Sequence, residues 1–566
     1  MQYKTLVLGL ERLHRYKNEQ QSFYRASTET ERGFMMHQVT LRQYNCPDCY
    51  FNPNESRSLW ALMILSLNKE FLYSASTVVT KTGIKKLKSI VMTPIQLTAL
   101  LPYILLAAAS IVVILLIAFK ASHTTIQVVG FLLMCGVAIS LFEVKGLLPV
   151  SILPLFEVDG FALLFTGLII FCVLVVGLFS FIYFEEREEN PKEYYILLFL
   201  STLGAATLTI SRHFISLFIG LEILSVSLYA LIAYLRTRNN AVEAGIKYLV
   251  LAALSSAFLL FGMALIYMDT GTMEFTAIAQ KLNSSSVLFT VGIGLMVVAI
   301  GFKLALVPFH FWAADVYQGA PSPVTSFIAT VSNIGIFAVL LLFAQATHLQ
   351  NYPLALYVFA AIAIISMITG NILALQQKNI KRLLAYSSIA HFGYLLVAFL
   401  PGNAAGVQAV FLYLIAYSIT ILAAFGIVTL LSVREKDAEL PEFYRGLFWR
   451  SPVMASVLTV AMLSLAGIPL TAGFIGKFMV LVTGVQKQLW VPVIVLVLTS
   501  VLGLYYYLRI ISLLFAEVPE TAVRKEKSLH PLFYTATYAA LIVLMLLLFW
   551  IGIFPGTVID GIKQFL

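Results

Sequence analysis

Long apolar runs separated by short polar stretches dominate residues 92–566. A run of about 20 apolar residues is the length at which a helix crosses the hydrocarbon core of a bilayer. That spacing predicts spans near 98–118, 125–142, 160–184, 194–211, 214–235, 243–268, 287–307, 322–346, 353–374, 383–400, 405–432, 452–482, 489–516 and 531–553, about fourteen in all. The chain therefore reads as an all-α, polytopic integral membrane protein. Several of these runs exceed the minimal span, which lets them tilt, break or turn back. Residues 1–91 follow a different pattern. Their best apolar stretch, LWALMILSLNKEFLYSASTVV, is interrupted by Lys69 and Glu70 and lies too far along the chain for a secretion signal. The first clean span opens at Met92. Residues 1–91 are thus expected to be a polar N-terminal extension, mis-assigned as a start or disordered, ahead of a transmembrane domain over 92–566.

Composition agrees with the pattern. The 566 residues are 60% hydrophobic and only 11% charged, with a mean hydropathy of +0.90. Soluble domains carry about 25% charged residues. The net charge of +9 would suit nucleic acid or an anionic surface if it were clustered in the membrane part. It is not: residues 1–91 hold 13 Lys/Arg against 7 Asp/Glu, and the rest is nearly neutral. The basic residues instead follow the positive-inside rule. If the first span begins outside, the inner loops hold sixteen of them, including Lys120, Arg236, Lys381, Arg382 and Arg509, and the outer segments hold Lys145, Arg212, Lys281, Lys487 and Lys563. Both ends of the membrane domain are then expected on the outer side, with lipid and no nucleic acid as partner. Lys381 and Arg382 read as topology anchors.

Four cysteines are present. Cys46 and Cys49 form an isolated C-x-x-C, and a structural zinc site or an iron–sulfur cluster needs four ligands, so no metal is expected. Cys135 and Cys172 read as small packing residues. No P-loop or dinucleotide-binding glycine motif is visible, so no cofactor is expected in this chain.

The chemistry lies in charges that interrupt the apolar runs: Glu222, Lys247, Lys303 and Lys477. Each costs roughly 2.5–3.5 kcal/mol at mid-membrane on insertion scales, and such residues ordinarily mark ion or proton pathways. Lys303 is followed by Pro308, Gly319, Pro321 and Pro323; Lys477 is preceded by Gly467, Pro469, Gly473 and Gly476. Proline and glycine so placed predict broken helices, which are tolerated at depth where they line a hydrated cavity. Pro469 removes the hydrogen bond to the Leu465 carbonyl. One broken helix in each half, each with a buried lysine, is the pattern of two related halves. Glu222 is the natural partner for Lys247 or Lys303. It can modulate a proton carrier, or it can form a permanent ion pair between helices. His310 and His391 are titratable near neutrality and suit either a relay or packing.

Three segments, GFKLALVPFHFWAADVYQGAPSPVTSFIAT, NIKRLLAYSSIAHFGYLLVA and YRGLFWRSPVMASVLTVAMLSLAGIPLTAGFIGKF, resemble subunit N of bacterial proton-pumping NADH:quinone oxidoreductase, respiratory complex I. The resemblance covers essentially all of 92–566. It implies fourteen helices in two inverted five-helix repeats, each with a broken helix, and an antiporter-like subunit of the cell inner membrane. Such a subunit moves protons while NADH, FMN, iron–sulfur clusters and quinone are bound by partner subunits. It also implies other antiporter-like subunits and quinone-site-proximal subunits as partners. Matched position by position, Glu222 is the glutamate of the fifth helix, Lys247 the lysine of the sixth, Lys303 the broken-helix lysine and Lys477 the exit-side lysine. Asn333 departs from the pattern, standing where many relatives carry lysine. A subunit of a multi-subunit cation/proton antiporter is the alternative reading, and a membrane scaffold whose charges only pair helices is the bland one.

Overall fold

The computed structural model describes residues 92–152, 154–185, 191–281, 286–432, 437–518 and 531–565. The expectations for residues 1–91 and for the Cys46–Cys49 pair lie outside the described residues.

Thr93 opens the membrane unit with a capping box, its hydroxyl accepting from the Gln96 amide and the Gln96 side chain accepting from its own. Helix α1 (Pro94–Ala99) runs into α2 (Leu101–Ala118). Then follow α3 (His123–Val144), a small hairpin of β1 (Val150–Ile152) and β2 (Phe156–Val158), and α4 (Gly160–Glu185). The hairpin is the one sheet among the described residues. Arg212 fixes its end through Glu157 (2.7 Å) and Asp159 (2.5 Å).

Two similar sets of helices follow. The first is α5 (Lys192–Thr209), α6 (Phe214–Ile232), α7 (Asn239–Thr270), a short α8 (Phe275–Lys281), the broken pair α9 (Val287–Lys303) and α10 (Phe311–Gly319), and α11 (Ser322–Ala346). The second is α12 (Pro353–Leu375), α13 (Ile380–Phe399), α14 (Ala404–Leu431), the broken pair α15 (Pro452–Ala466) and α16 (Ala472–Gln486), and α17 (Trp490–Leu514). Helices α18 (Pro531–Ile553) and α19 (Pro555–Lys563) close the unit.

The packing repeats with the order. The first helix of each set packs on its second and on its fifth, and the third packs on the broken pair. A shift of five helices is odd, so the second set enters the bundle from the opposite end, which inverts it. In the first set, α7 and α9 cross at Gly262 and Gly292: a Cβ on Gly262 would meet the Gly292 carbonyl at 2.7 Å, so only glycine permits this approach.

Among the described residues, eleven helices are long and apolar enough to cross a membrane. The expected runs at 194–211, 287–307 and 452–482 differ from these for physical reasons. Helix α5 carries Lys192, Glu193 and several Tyr and Thr, and it is enclosed by α2, α4, α6 and α11 rather than facing lipid. The other two runs are interrupted. Helix α11 is buried from Ser322 to Ala344, and α13 and α14 nearly throughout, so the core sits where the two sets meet. Cys172 is buried within it.

Candidate functional site

Helix α9 ends at Lys303, and the chain breaks before restarting at Phe311. Ala305 takes a left-handed conformation (φ 53°) and the Val307–Pro308 bond is cis. The backbone groups freed by the break find side chains: Trp312 Nε1 donates to the Phe302 carbonyl (2.9 Å), and the Val307 amide donates to Ser366 Oγ of α12 (3.0 Å). Lys303 is 3% exposed and sits at a helix C-terminus, where the negative end of the helix dipole favours a cation.

Its ammonium donates to Ser225 Oγ at 2.6 Å, and Ser225 donates on to the Leu221 carbonyl. Glu222 lies one turn before Ser225 on α6, half-buried, and its Oε1 accepts from Ser256 Oγ of α7 at 2.6 Å. Glu222 acts electrostatically on Lys303, but among the described residues it forms no ion pair with Lys303 or Lys247. In place of the expected direct partnership, Lys303 is held by Ser225 and Glu222 by Ser256. Lys247 lies elsewhere, its side chain 44% exposed, paired with Glu243 (2.7 Å) and with Asp315 of α10 (2.9 Å). An apolar run in the sequence does not reveal which face of the helix a charge occupies, and Lys247 takes an outer one.

In the second set, α15 ends at Ala466 and Gly467 caps it in the left-handed conformation (φ 83°). Lys477, 7% exposed, donates to the Leu465 carbonyl (2.9 Å) and to the Ala466 carbonyl (3.0 Å). The carbonyl that Pro469 frees is thus satisfied by the lysine. The face of Tyr394 lies 5.3 Å from the ammonium. A neutral amine keeps two N–H groups, enough for both carbonyls, so Lys477 can shed a proton and still leave no acceptor orphaned.

Tyr394 also meets His391 edge-to-face. His391 is buried, with Nδ1 bonded to Tyr413 (2.6 Å) and Nε2 to Tyr507 (3.1 Å). Tyr507 continues to Ser387, and Tyr417 donates to Ser388 at 2.6 Å. Hydroxyls both donate and accept, so this chain serves either tautomer. His310 is different: its Nδ1 is buried with no hydrogen-bond partner and its ring lies against Phe311. Asn333 is buried at the end of a π-helical stretch, Ile328–Ser332, and its Nδ2 donates to the Ala329 carbonyl at 3.1 Å.

Glu222 and Lys303 are thus brought together, as are His391 and Lys477, while Lys247 and His310 stand apart from both groups. Sequence reasoning missed two features. The tyrosines whose hydroxyls meet His391, Tyr413 and Tyr507, come from α14 and α17, and nothing local in the sequence pairs them with it. Lys381 is fully buried, not an exposed anchor: it donates to Asp437 (2.9 Å) and to the Ala320 carbonyl (2.7 Å). Its place beside Lys378 at a helix start made it look like a loop residue.

Residues 211–503 match the family described as NADH:quinone oxidoreductase/Mrp antiporter, transmembrane. A chain in the structure of respiratory complex I from Thermus thermophilus with bound aureothin is similar at 33% identity. That match covers 81% of this chain and 98% of the other, with a TM-score of 0.71. A chain of the membrane-bound sulfane sulfur reductase, an archaeal respiratory membrane complex, is similar at 26% identity over 82% and 96%, with a TM-score of 0.70. A chain of the Mrp complex from Dietzia sp. DQ12-45-1b shares the fold at 20% identity over 82% and 96%, with a TM-score of 0.73.

Proposed function

Since the chain belongs to the NADH:quinone oxidoreductase/Mrp antiporter family and is a multi-pass, antiporter-like membrane subunit, we propose that it is the N-type subunit of a proton-pumping NADH:quinone oxidoreductase. The observation that carries this reading is the pair of buried lysines, Lys303 and Lys477, one at the break of each helix set. Both are held by neutral oxygens rather than carboxylates. A lysine paired with a carboxylate is a static cation. One held by a hydroxyl or carbonyls can give up its proton without stranding a buried charge. The identity of 33% to a chain of a respiratory complex I favours this host over a Mrp-type antiporter.

In this reading Lys303 takes up a proton from the inner side. The charge on Glu222, one turn from Ser225 on α6, sets how firmly Lys303 holds it, and Lys247 tunes the inner approach through Asp315. The proton passes the midplane near Asn333, where an amide orders polar neighbours but carries no charge, so the His391 and tyrosine hydroxyls provide the relay. Lys477 releases the proton outside. His310 is a second candidate relay at the first break. All fourteen predicted spans then cross the cell inner membrane, and both ends of the membrane domain lie outside. NADH, FMN, iron–sulfur clusters and quinone are bound by partner subunits, including quinone-site-proximal ones.

The test is pumping by the assembled complex in inverted membrane vesicles, read by fluorescence quench on addition of NADH. Glu222→Gln and Lys303→Met are expected to lower proton uptake by roughly a hundredfold at unchanged complex content, the scale of a lost general acid–base group. Full uptake in both variants would overturn the reading. Pumping driven by a sodium gradient in place of NADH would favour the antiporter alternative.

A further inference from the structure

Helix α10 belongs in chain order to the first set, yet it is wedged between α7 of that set and α13 of the other. On the first flank, Asp315 Oδ2 accepts from Lys247 (2.9 Å). On the second, Asp315 Oδ1 accepts from Arg382 (2.7 Å), which also donates to Gln318 Oε1 (3.1 Å). Past its end, the Ala320 carbonyl accepts from the buried Lys381. That lysine is fixed by Asp437, whose two oxygens also accept from Tyr183, Arg238 and Ser322.

We propose that α10 is the joint through which the two helix sets act on one another, with Lys381 and Arg382 as its positioning residues on the second set. This rests on the proton-pumping reading for its functional consequence, and on geometry alone for its mechanics. Asp315 is shared by one cation from each set, so a change at Lys247 alters its hold on Arg382. The Ala320 carbonyl sits between α10 and α11, so Lys381 fixes the angle at which α11 leaves α10. Neither residue contacts Lys303 or Lys477. Loosening the joint therefore leaves both lysine sites intact while removing the link between them.

Lys381→Met is the clean variant, because Asp437 keeps Arg238, Tyr183 and Ser322 and no buried charge is left alone. In the assembled complex, amide hydrogen exchange across 311–319 is expected to speed up roughly tenfold, the loss of one charge-assisted hydrogen bond. Protons moved per electron are expected to fall roughly fivefold, a coupling of ordinary size, while electron transfer stays at the wild-type rate. A merely structural lysine would lower protons and electrons together. That outcome overturns the proposal, as does exchange at 311–319 that rises no more than in the rest of the bundle. If Lys381→Met fails to assemble, Arg382→Gln is read against the same two outcomes. The exchange measurement does not depend on which ion is moved: full pumping in Glu222→Gln together with a loosened α10 would end the functional reading and leave the joint standing.

Discussion

Lys303 and Lys477 are both buried, and among the described residues neither has a carboxylate at ion-pair distance, but they are held by different atoms. Lys303 meets a serine hydroxyl that can turn to donate, so either protonation state finds a partner. Lys477 meets two helix-end carbonyls, which a neutral amine satisfies as well as a charged one. This distinction makes a sharp test at the residue scale. Arginine at 477 would keep the charge and the donors, but a guanidinium does not deprotonate in proteins. Lys477→Arg is therefore expected to hold the fold, as measured by thermal unfolding of the complex, while NADH-driven proton movement falls about a hundredfold. Wild-type pumping in that variant would mean that Lys477 is a static cation filling a helix end. The buried cations also mark the limit of local reading. Lys303 and Lys477 stood out because apolar residues surround them in sequence. Lys381 escaped notice because its partner Asp437 lies far along the chain and its neighbours are polar.

At the scale of elements, the breaks do the placing. Gly467 is needed where it stands for two reasons: its backbone is left-handed, and a Cβ there would meet Lys477 Cδ at 2.9 Å. Gly467→Ala is expected to cost about 1–2 kcal/mol from conformation alone and to push the lysine off the α15 carbonyls. Chemical unfolding of the purified complex reads the first effect and the pumping assay the second. A variant that unfolds and pumps like the parent would show that the break tolerates side chains. The sequence made the breaks legible, because proline and glycine punctuate apolar runs through known steric rules. Their positions were less legible. Helix α9 stops at Lys303 itself, and the Trp312 and Ser366 side chains that complete its ends come from separate elements. The hairpin at Val150–Val158 and the π-helical stretch before Asn333 also had no local signature. Both are settled by packing against helices distant in the chain, and Arg212 is what holds the hairpin end.

For the molecule as a whole, the repeat makes orientation a testable quantity. Two helix sets related by an odd shift must face opposite ways, so loops at equivalent places in the two sets open on opposite sides of the membrane. Lys120, after α2 and ahead of both sets, and Lys487, after α16 in the second set, are both exposed, with eleven of the predicted spans between them. The charge asymmetry places Lys120 with the basic-rich loops and Lys487 with the basic-poor ones. Single cysteines at 120 and at 487, in a chain whose four native cysteines are replaced, are expected to react with a membrane-impermeant maleimide from opposite sides. In right-side-out vesicles only the cysteine at 487 should label, and in inverted vesicles only the one at 120. Labelling of both from one side would require an even number of spans between them, and so would remove one crossing from the helices that separate them. The position most exposed to that outcome is 194–211, because α5 is too polar to qualify as a span by its own composition. Its enclosure by α2, α4, α6 and α11 is what would let it cross. Losing that crossing would put Glu222 and Ser225 at the wrong depth to meet Lys303, so the labelling pattern tests the site as well as the topology.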